Sequence, residues 1–115
     1  MKFIDRKIIF YQDHFTRFYL DQSEKVQAKI EHVFRIVRQM ERVPEKYLKH
    51  LEGTDGLFEI RVDMGSNTFR IFCCFDKGDL VVLFNGFQKK SQKTPRNEME
   101  LAERLKKGYF RTKHK

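Results

Sequence analysis

The fold is decided by residues 57–87, LFEIRVDMGSNTFRIFCCFDKGDLVVLFNGF. Apolar and polar residues alternate along 57–64, which is the period of a strand with one buried face. Gly65-Ser66 suits a two-residue hairpin turn, and residues 67–75 read as the next strand. After a second turn, residues 79–87 are almost wholly apolar through LVVLF, which suits a strand covered on both faces. The stretch therefore predicts three consecutive antiparallel strands.

Upstream of these strands, the pattern changes to one short strand followed by helices. Residues 7–11 are apolar and partly β-branched, which predicts a first strand. Asp13 can cap a short aromatic-rich helix, and a longer helix begins at Asp21 or Ser23 and is ended by Pro44. The apolar positions of the longer helix recur with helical spacing: Val26, Ile30, Val33, Phe34, Val37 and Met40. We expect the two helices to form a hairpin over one face of the sheet.

The carboxyl-terminal part of the chain predicts one more helix. Thr94-Pro95 is a cap followed by a first-turn proline, and acidic residues come early and basic residues late, as the helix dipole favours. We expect this helix to run for roughly 12–15 residues. The element order is then β-α-α-β-β-β-α in a single domain, residues 1–115. This is an α+β fold: a mainly antiparallel sheet with a helical hairpin on one face and a C-terminal helix.

Composition and charge narrow the classes of function. The aromatic content excludes a disordered tail, and no apolar run of about 18 residues could span a membrane. The first seven residues lack the features of a signal peptide, so we expect a cytoplasmic protein without a membrane partner. Residues 87–115 hold 10 basic and 3 acidic side chains, whereas residues 1–86 are nearly balanced. This local excess indicates either a polyanionic partner or a solvated basic tail.

The residues that bind metals in other proteins are poorly arranged for it here. Cys73 and Cys74 are adjacent, and neighbours on a strand point to opposite faces of the sheet. The four histidines show no ligand spacing. We therefore expect no metal site and no cofactor.

Two arginines face each other across the predicted hairpin. If Gly65-Ser66 is a two-residue turn, Arg61 lies opposite Arg70 on the polar face, whereas a three-residue turn would separate them. Like charges opposite each other are destabilising, so the pair needs an anion. That anion is either Glu59, in a surface network, or a bound phosphate, which a guanidinium group holds through two parallel hydrogen bonds.

A basic loop follows the last strand and leads into the C-terminal helix. It carries Phe87 at its base, then Lys89, Lys90 and Lys93, and reaches Arg96 at the start of the helix. Cationic side chains, free backbone N–H groups and an aromatic ring suit single-stranded RNA. A solvated loop can have the same composition, so the loop alone leaves both interpretations open.

Taken together, these segments resemble a known toxin family. The segments LFEIR (57–61), FRIF (69–72) and VLFNGFQKKSQKTP (82–95) are similar to the phage-derived HigB-type branch of the RelE/ParE superfamily. The resemblance implies a RelE-like fold and a toxin of a type II toxin–antitoxin pair. Such a toxin is a metal-independent endoribonuclease that cleaves mRNA, usually on the ribosome, and inhibits translation. Its expected partners are the ribosome, mRNA and a helix-turn-helix antitoxin.

The resemblance also implies roles for individual residues. Arg61 and Arg70 would hold the scissile phosphate, and Lys89 or Lys90 would stabilise the charge that develops when the ribose 2′-OH attacks it. Further RNA-binding residues are expected at the base of the loop and along it: Phe87, Lys93 and Arg96.

The general base is not identified by the resemblance. Some superfamily members have His, Asp or Tyr near the end of the last strand, where this chain has Asn85-Gly86-Phe87. Glu59, Tyr109 and His50 are the remaining candidates. Two other functions stay open, because the ParE side of the superfamily poisons DNA gyrase and a non-catalytic RNA- or ribosome-binding module would share the basic loop.

Overall fold

The computed structural model describes residues 3–113, which form a five-stranded sheet with helices on both faces. The elements are β1 (Lys7–Phe10), α1 (His14–Leu20), α2 (Glu24–Gln39), β2 (Leu48–His50), β3 (Phe58–Met64), β4 (Asn67–Asp76), β5 (Leu80–Lys89) and α3 (Arg96–Lys113). The strand order is β1-β5-β4-β3-β2, with β1 parallel to β5 and the other neighbours antiparallel. The predicted α+β architecture is confirmed. No helix within residues 3–113 is long and apolar enough to cross a membrane.

Different helices cover the two faces of the sheet, and each face has its own core. On the first face, Leu83 of β5 belongs to the same buried cluster as Val33 of α2. On the second face, Phe84 of β5 belongs to a cluster with Ala102 of α3. Successive residues of β5 are therefore buried on opposite sides, which explains why this strand is apolar without alternation.

The longer helix begins at one of its two predicted caps but ends earlier than predicted. The hydroxyl of Ser23 accepts a hydrogen bond from the backbone N–H of Val26, so Ser23 is the N-cap of α2. The helix stops at Met40, which has extended backbone angles, and not at Pro44. The reason is tertiary: the guanidinium group of Arg6 donates to the carbonyl of Met40 at 2.5 Å and replaces the next helical turn.

Two further boundaries differ from the prediction. The segment Leu48–His50 forms β2, a strand that the predicted element order lacks; it pairs with β3 and makes the far edge of the sheet. The C-terminal helix has 18 residues, longer than predicted. Its last turns are fastened to the end of β4, because Asp76 accepts hydrogen bonds from Tyr109 at 2.7 Å and from Lys113 at 2.6 Å.

The predicted hairpin register is confirmed. Met64 pairs with Asn67 across a two-residue turn, and Gly65 has a positive φ of 60° that suits this turn. Arg61 therefore lies directly opposite Arg70.

Candidate functional site

A β-bulge brings the basic strand end onto the same face as the two arginines. Ile71 of β4 pairs with Gly86, but Cys73 pairs with Leu83, so β5 holds one extra residue between these pairs. An extra residue reverses which side chains face which side of the sheet. Phe87, which is paired with Arg70, therefore lies on the α3 face, in the same cluster as Phe84.

A buried carboxylate joins the two arginines on this face. The Oε2 atom of Glu59 lies 3.3 Å from Nε of Arg61 and 3.0 Å from Nε of Arg70. The side chains of Glu59 and Arg70 are 7% and 6% exposed, whereas that of Arg61 is 28% exposed. Glu59 is thus the anion between the arginines, as one of the two predicted alternatives required, and Arg61 is the more accessible cation.

The two guanidinium groups lie close to the Glu59 carboxylate, but their Nε atoms are not aligned for hydrogen bonds to it. The buried Nε atoms of Arg61 and Arg70 have no hydrogen-bond partner among the described residues, although Glu59 lies within ion-pair distance of both. Arg70 is further held by Asp63, whose Oδ1 accepts from Nη1 at 3.1 Å, and by the carbonyl of Phe69. Arg70 is therefore fixed by the protein on several sides, and Arg61 keeps more freedom toward solvent.

Two clefts lie beside this cluster and meet at Lys89. The first, which we call the Arg61 cleft, has a volume of about 290 Å³ and is lined by Lys49, His50, Leu51, Glu52, Glu59, Arg61, Lys89, Thr94 and Met99. The second, the loop cleft, has about 550 Å³ and is lined by Ser66, Asn67, Thr68, Arg70, Gln88, Lys89, Lys90, Ser91 and Gln92. Among the lining residues, the loop cleft has cations but no carboxylate, so it suits an anionic ligand.

The other residues predicted for the loop have different environments. Lys90 is exposed in the loop cleft, and Lys93 is exposed without lining either cleft. Arg96 is exposed and forms an ion pair with Glu100, one turn along α3, at 3.2 Å. Phe87 is only 8% exposed and packs edge-on against Phe72, so its ring supports the base of the loop from the core.

The three candidates for a general base are separated by the fold. Glu59 lines the Arg61 cleft; His50 borders that cleft at the end of β2, but its ring packs edge-on against Phe58 on the α2 face of the sheet. Tyr109 instead donates to Asp76, which lies six residues beyond Arg70 along β4, or roughly 20 Å. Burial and the hydrogen bond to Asp76 raise the pKa of Tyr109 to about 12, so this phenol stays protonated near neutral pH.

Two features of the site were missed at the level of sequence. Lys49 is the cross-strand partner of Glu59 and lines the Arg61 cleft, a position that depends on β2, which the predicted element order lacked. Asn85, which is 2% exposed, donates to the backbone carbonyl and the carboxylate of Glu98 at 3.1 and 3.0 Å and so fixes the start of α3. A buried amide in an apolar strand is a signal that could have been noticed.

The site can bind and polarise a phosphate. It combines accessible guanidinium and ammonium groups with a carboxylate, which are groups that charge stabilisation and proton transfer require. Within residues 3–113, no three His, Cys, Asp or Glu side chains are grouped as metal ligands would be.

Comparison with known families identifies the class of protein. The family described as "Phage derived protein Gp49-like (DUF891)" matches residues 17–107, which include both clefts and most of α3. The chain therefore belongs to this Gp49-like family, which is a RelE/ParE-like toxin family. Comparison with the curated proteins finds no significant match.

Proposed function

We propose that this chain is the toxin of a type II toxin–antitoxin pair, of the HigB type, and that it inhibits translation by cleaving mRNA on the ribosome. The observation that carries the proposal is the meeting of the Arg61 cleft and the loop cleft at Lys89. An RNA strand that follows both clefts would have one phosphate beside Arg61 and Lys89 and its neighbours along the loop.

The proposed reaction is an internal transfer at the phosphodiester. The ribose 2′-oxygen forms a bond to phosphorus, the bond from phosphorus to the 5′-oxygen breaks, and the products carry a 2′,3′-cyclic phosphate and a 5′-hydroxyl. Arg61 and Lys89 stabilise the negative charge on the phosphorane oxygens. Arg70 acts mainly through Glu59, because it is buried and held by its own ion pairs.

We infer that the carboxylate of Glu59 accepts the proton of the 2′-hydroxyl, and that the ammonium group of Lys89 supplies a proton to the departing 5′-oxygen. Glu59 lines the Arg61 cleft, whereas the ring of His50 packs against Phe58 on the other face of the sheet. On the ribosome, the positioning of the substrate would supply much of the rate.

The proposed partners follow from the same assignment. The ribosome and mRNA provide the polyanion for the basic loop, and a helix-turn-helix antitoxin encoded beside the toxin would silence it. Charge in the loop rather than apolar surface would hold the RNA.

The test is induction of the wild type and of Lys89→Ala/Lys90→Ala in growing cells, with mapping of transcript ends. We expect the wild type to arrest growth and to produce new ends within codons, and the double variant to be folded but non-toxic, because Lys89 and Lys90 carry no described ion pair. The matched control is Lys25→Ala/Lys29→Ala on α2, which removes two charges away from the clefts and should keep its toxicity.

Other outcomes would point to other functions. Double-strand DNA breaks without cleaved transcripts would indicate gyrase poisoning, and binding to ribosomes without either effect would indicate a non-catalytic module. Purified ribosomes with a defined mRNA then test the proton acceptor, where Glu59→Gln should lower the cleavage rate about a hundredfold without changing ribosome binding. His50→Gln, whose ring lies on the other face of the sheet, is the control and should cleave at nearly the wild-type rate.

A further inference from the structure

The second half of α3 carries cations of two kinds. Lys106 is bound to the loop before β3 through the carbonyl and carboxylate of Asp55, and Lys113 is bound to Asp76 at 2.6 Å. These two lysines hold the helix against the sheet. Arg104 and Arg111 are exposed, and no carboxylate among residues 3–113 lies within 4.0 Å of either guanidinium group.

The two free arginines line a cleft of about 380 Å³ that is separate from the candidate active site. We call it the α3 cleft: it lies between one side of α3 and the turn from β1 to α1, and Tyr11, Gln12, His14, Leu101, Leu105 and Gly108 complete its wall. Arg104 and Arg111 are two turns apart, about 10 Å along the helix axis. No acidic residue lines the cleft, so its charge is wholly positive.

Neutral donors and a glycine shape the wall of the α3 cleft. The ring of Tyr11 packs edge-on against Phe84 and Tyr109, and its hydroxyl makes no hydrogen bond within the described residues. A Cβ atom at Gly108 would lie 2.9 Å from that hydroxyl oxygen, so the glycine leaves the room that the hydroxyl occupies. The Nδ1 atom of His14 is likewise buried and has no hydrogen-bond partner among residues 3–113.

We propose that the α3 cleft binds the phosphodiester backbone of folded RNA, as a second RNA contact outside the cleavage site. The inference rests on the proposed function, because it gives the ribosome-bound toxin its second point of attachment. Guanidinium groups, a phenol and an imidazole are donors suited to phosphate oxygens. Arg104 and Arg111 are unpaired among residues 3–113, while Lys106 and Lys113 hold the helix against the sheet. A polyanion can therefore bind the two arginines without breaking an ion pair that stabilises the fold.

Folded RNA fits this surface better than a single small anion does. The cations are spread over two turns of α3 and not gathered around one point, which suits successive phosphates. The same helix begins at the end of the basic loop, so one polyanion can contact the loop and the α3 cleft together.

The test measures binding to a 20-base-pair RNA duplex with 2′-O-methyl riboses, which no attack by a 2′-hydroxyl can cleave. Fluorescence anisotropy is recorded from 50 to 200 mM salt. We expect Arg104→Gln/Arg111→Gln to weaken binding at least thirtyfold and to lower the slope of log Kd against log salt by about 1.5. The matched control, Lys25→Gln/Arg35→Gln on the exposed side of α2, removes the same charge and should change Kd less than threefold.

Two variants that keep every charge test the shape of the α3 cleft. Gly108→Ala forces the Tyr11 hydroxyl to move and should weaken binding about tenfold, while alanine itself favours the helix. Tyr11→Phe removes one donor and keeps the ring packing, and it should also weaken binding several-fold. Circular dichroism and thermal unfolding establish that each variant is folded.

Several results would overturn the proposal. Equal losses in the α2 control would mean that only bulk charge matters. Tighter binding of polyglutamate than of the duplex at the same salt concentration, with unchanged duplex affinity in the arginine variant, would indicate an acidic protein instead. Saturation of the cleft by inorganic phosphate below 1 mM (on the order of a specific small-ligand site) without competition by the duplex would indicate a small anion.

The failure of this proposal is distinct from failure of the nuclease assignment. Loss of duplex binding in the arginine variant, in a protein that cleaves no transcript, would support the α3 cleft and contradict the nuclease. Normal duplex binding by the arginine variant, in a protein that does cleave, would contradict the α3 cleft alone.

Discussion

At the scale of single residues, Glu59 determines how the two arginines behave. The sequence places Arg61 opposite Arg70, and two unscreened guanidinium groups would repel each other. The structure inserts the Glu59 carboxylate between them and adds Asp63 on the far side of Arg70. The carboxylate removes the repulsion, so Arg70 contributes to the stability of the fold as well as to the charge of the site.

Arg70→Ala should lower the free energy of unfolding by about 3 kcal/mol, because it removes one partner of a buried ion pair and leaves Glu59 under-compensated. Urea denaturation monitored by circular dichroism measures the change. Arg61→Ala, at the more exposed member of the cluster, should cost less than half as much.

A double variant separates charge from packing in the same cluster. Glu59→Leu/Arg70→Met replaces the buried pair with apolar side chains of similar volume and should be much closer to the wild type than Arg70→Ala. If Arg70→Ala is as stable as the wild type, the ion pairs contribute nothing and this account of Glu59 is incorrect.

The Asp76–Tyr109 contact predicts a change of stability in alkaline solution. Burial and the Asp76 hydrogen bond raise the pKa of Tyr109 from 10.0 to about 12. The contribution of Tyr109 to stability is then fully present below pH 10 and is lost as the pH rises toward 12. The melting temperature of the wild type should fall more steeply between pH 9.5 and 11.5, roughly the window of that titration, than that of Tyr109→Phe.

The same contact acts in the opposite direction in acid. Hydrogen bonds from Lys113 and Tyr109 hold the pKa of Asp76 below its ordinary value of 3.8. The contribution of Asp76 is present above that value and is lost as the pH falls through the lower pKa of the folded protein.

In the alkaline experiment, parallel melting curves for the wild type and Tyr109→Phe would count against a role of the Asp76–Tyr109 contact in holding α3.

At the scale of elements, strand β5 is where the fold meets the site. The strand packs under both helical layers. Its bulge reverses the faces of the residues that follow and so brings Lys89 to the clefts. Gly86, just after the bulge, lets α1 approach the sheet closely: an added Cβ would lie 2.6 Å from a ring carbon of Phe18.

Gly86→Ala should therefore destabilise the protein by about 2 kcal/mol, the cost of overpacking a close contact. The double variant Gly86→Ala/Phe18→Leu should recover part of this loss, because the smaller side chain makes room for the methyl group. Calorimetric melting temperatures test both variants, and an undiminished melting temperature in Gly86→Ala would show that α1 moves away at no cost.

At the scale of the whole molecule, the positive charge is concentrated in the C-terminal quarter of the chain, residues 87–115. The basic loop and α3 together carry nearly all of the excess in the chain, while residues 1–86 are nearly balanced. Such a field accelerates and strengthens association with a polyanion and is weakened by salt.

Affinity for ribosomes should accordingly fall steeply between about 50 and 200 mM salt, by a hundredfold or more if several phosphates are contacted. Sedimentation of the toxin with ribosomes at increasing salt measures this. The Lys89→Ala/Lys90→Ala variant should show a shallower dependence, and a flat dependence in the wild type would instead indicate an apolar surface directed at a protein.

The sequence by itself determined the α+β class, the hairpin with Arg61 opposite Arg70 and the two-sided burial of β5. Those features follow from local periodicity and turn chemistry, which depend on neighbouring residues alone. It could not determine the end of α2, where Arg6 intervenes from 34 residues away. Nor could it predict β2, since a three-residue strand has too short a period to detect and exists only because β3 offers it a partner.

Only the tertiary structure decided which candidate residues share a site. The bulge turned Phe87 into the core and brought its neighbours to the clefts, and the fold separated both Tyr109 and the ring of His50 from Glu59. The α3 cleft likewise combines residues of the β1–α1 turn with residues 90 positions later. Spacing along a chain fixes what a single element presents, whereas distances between elements depend on packing that no local pattern encodes.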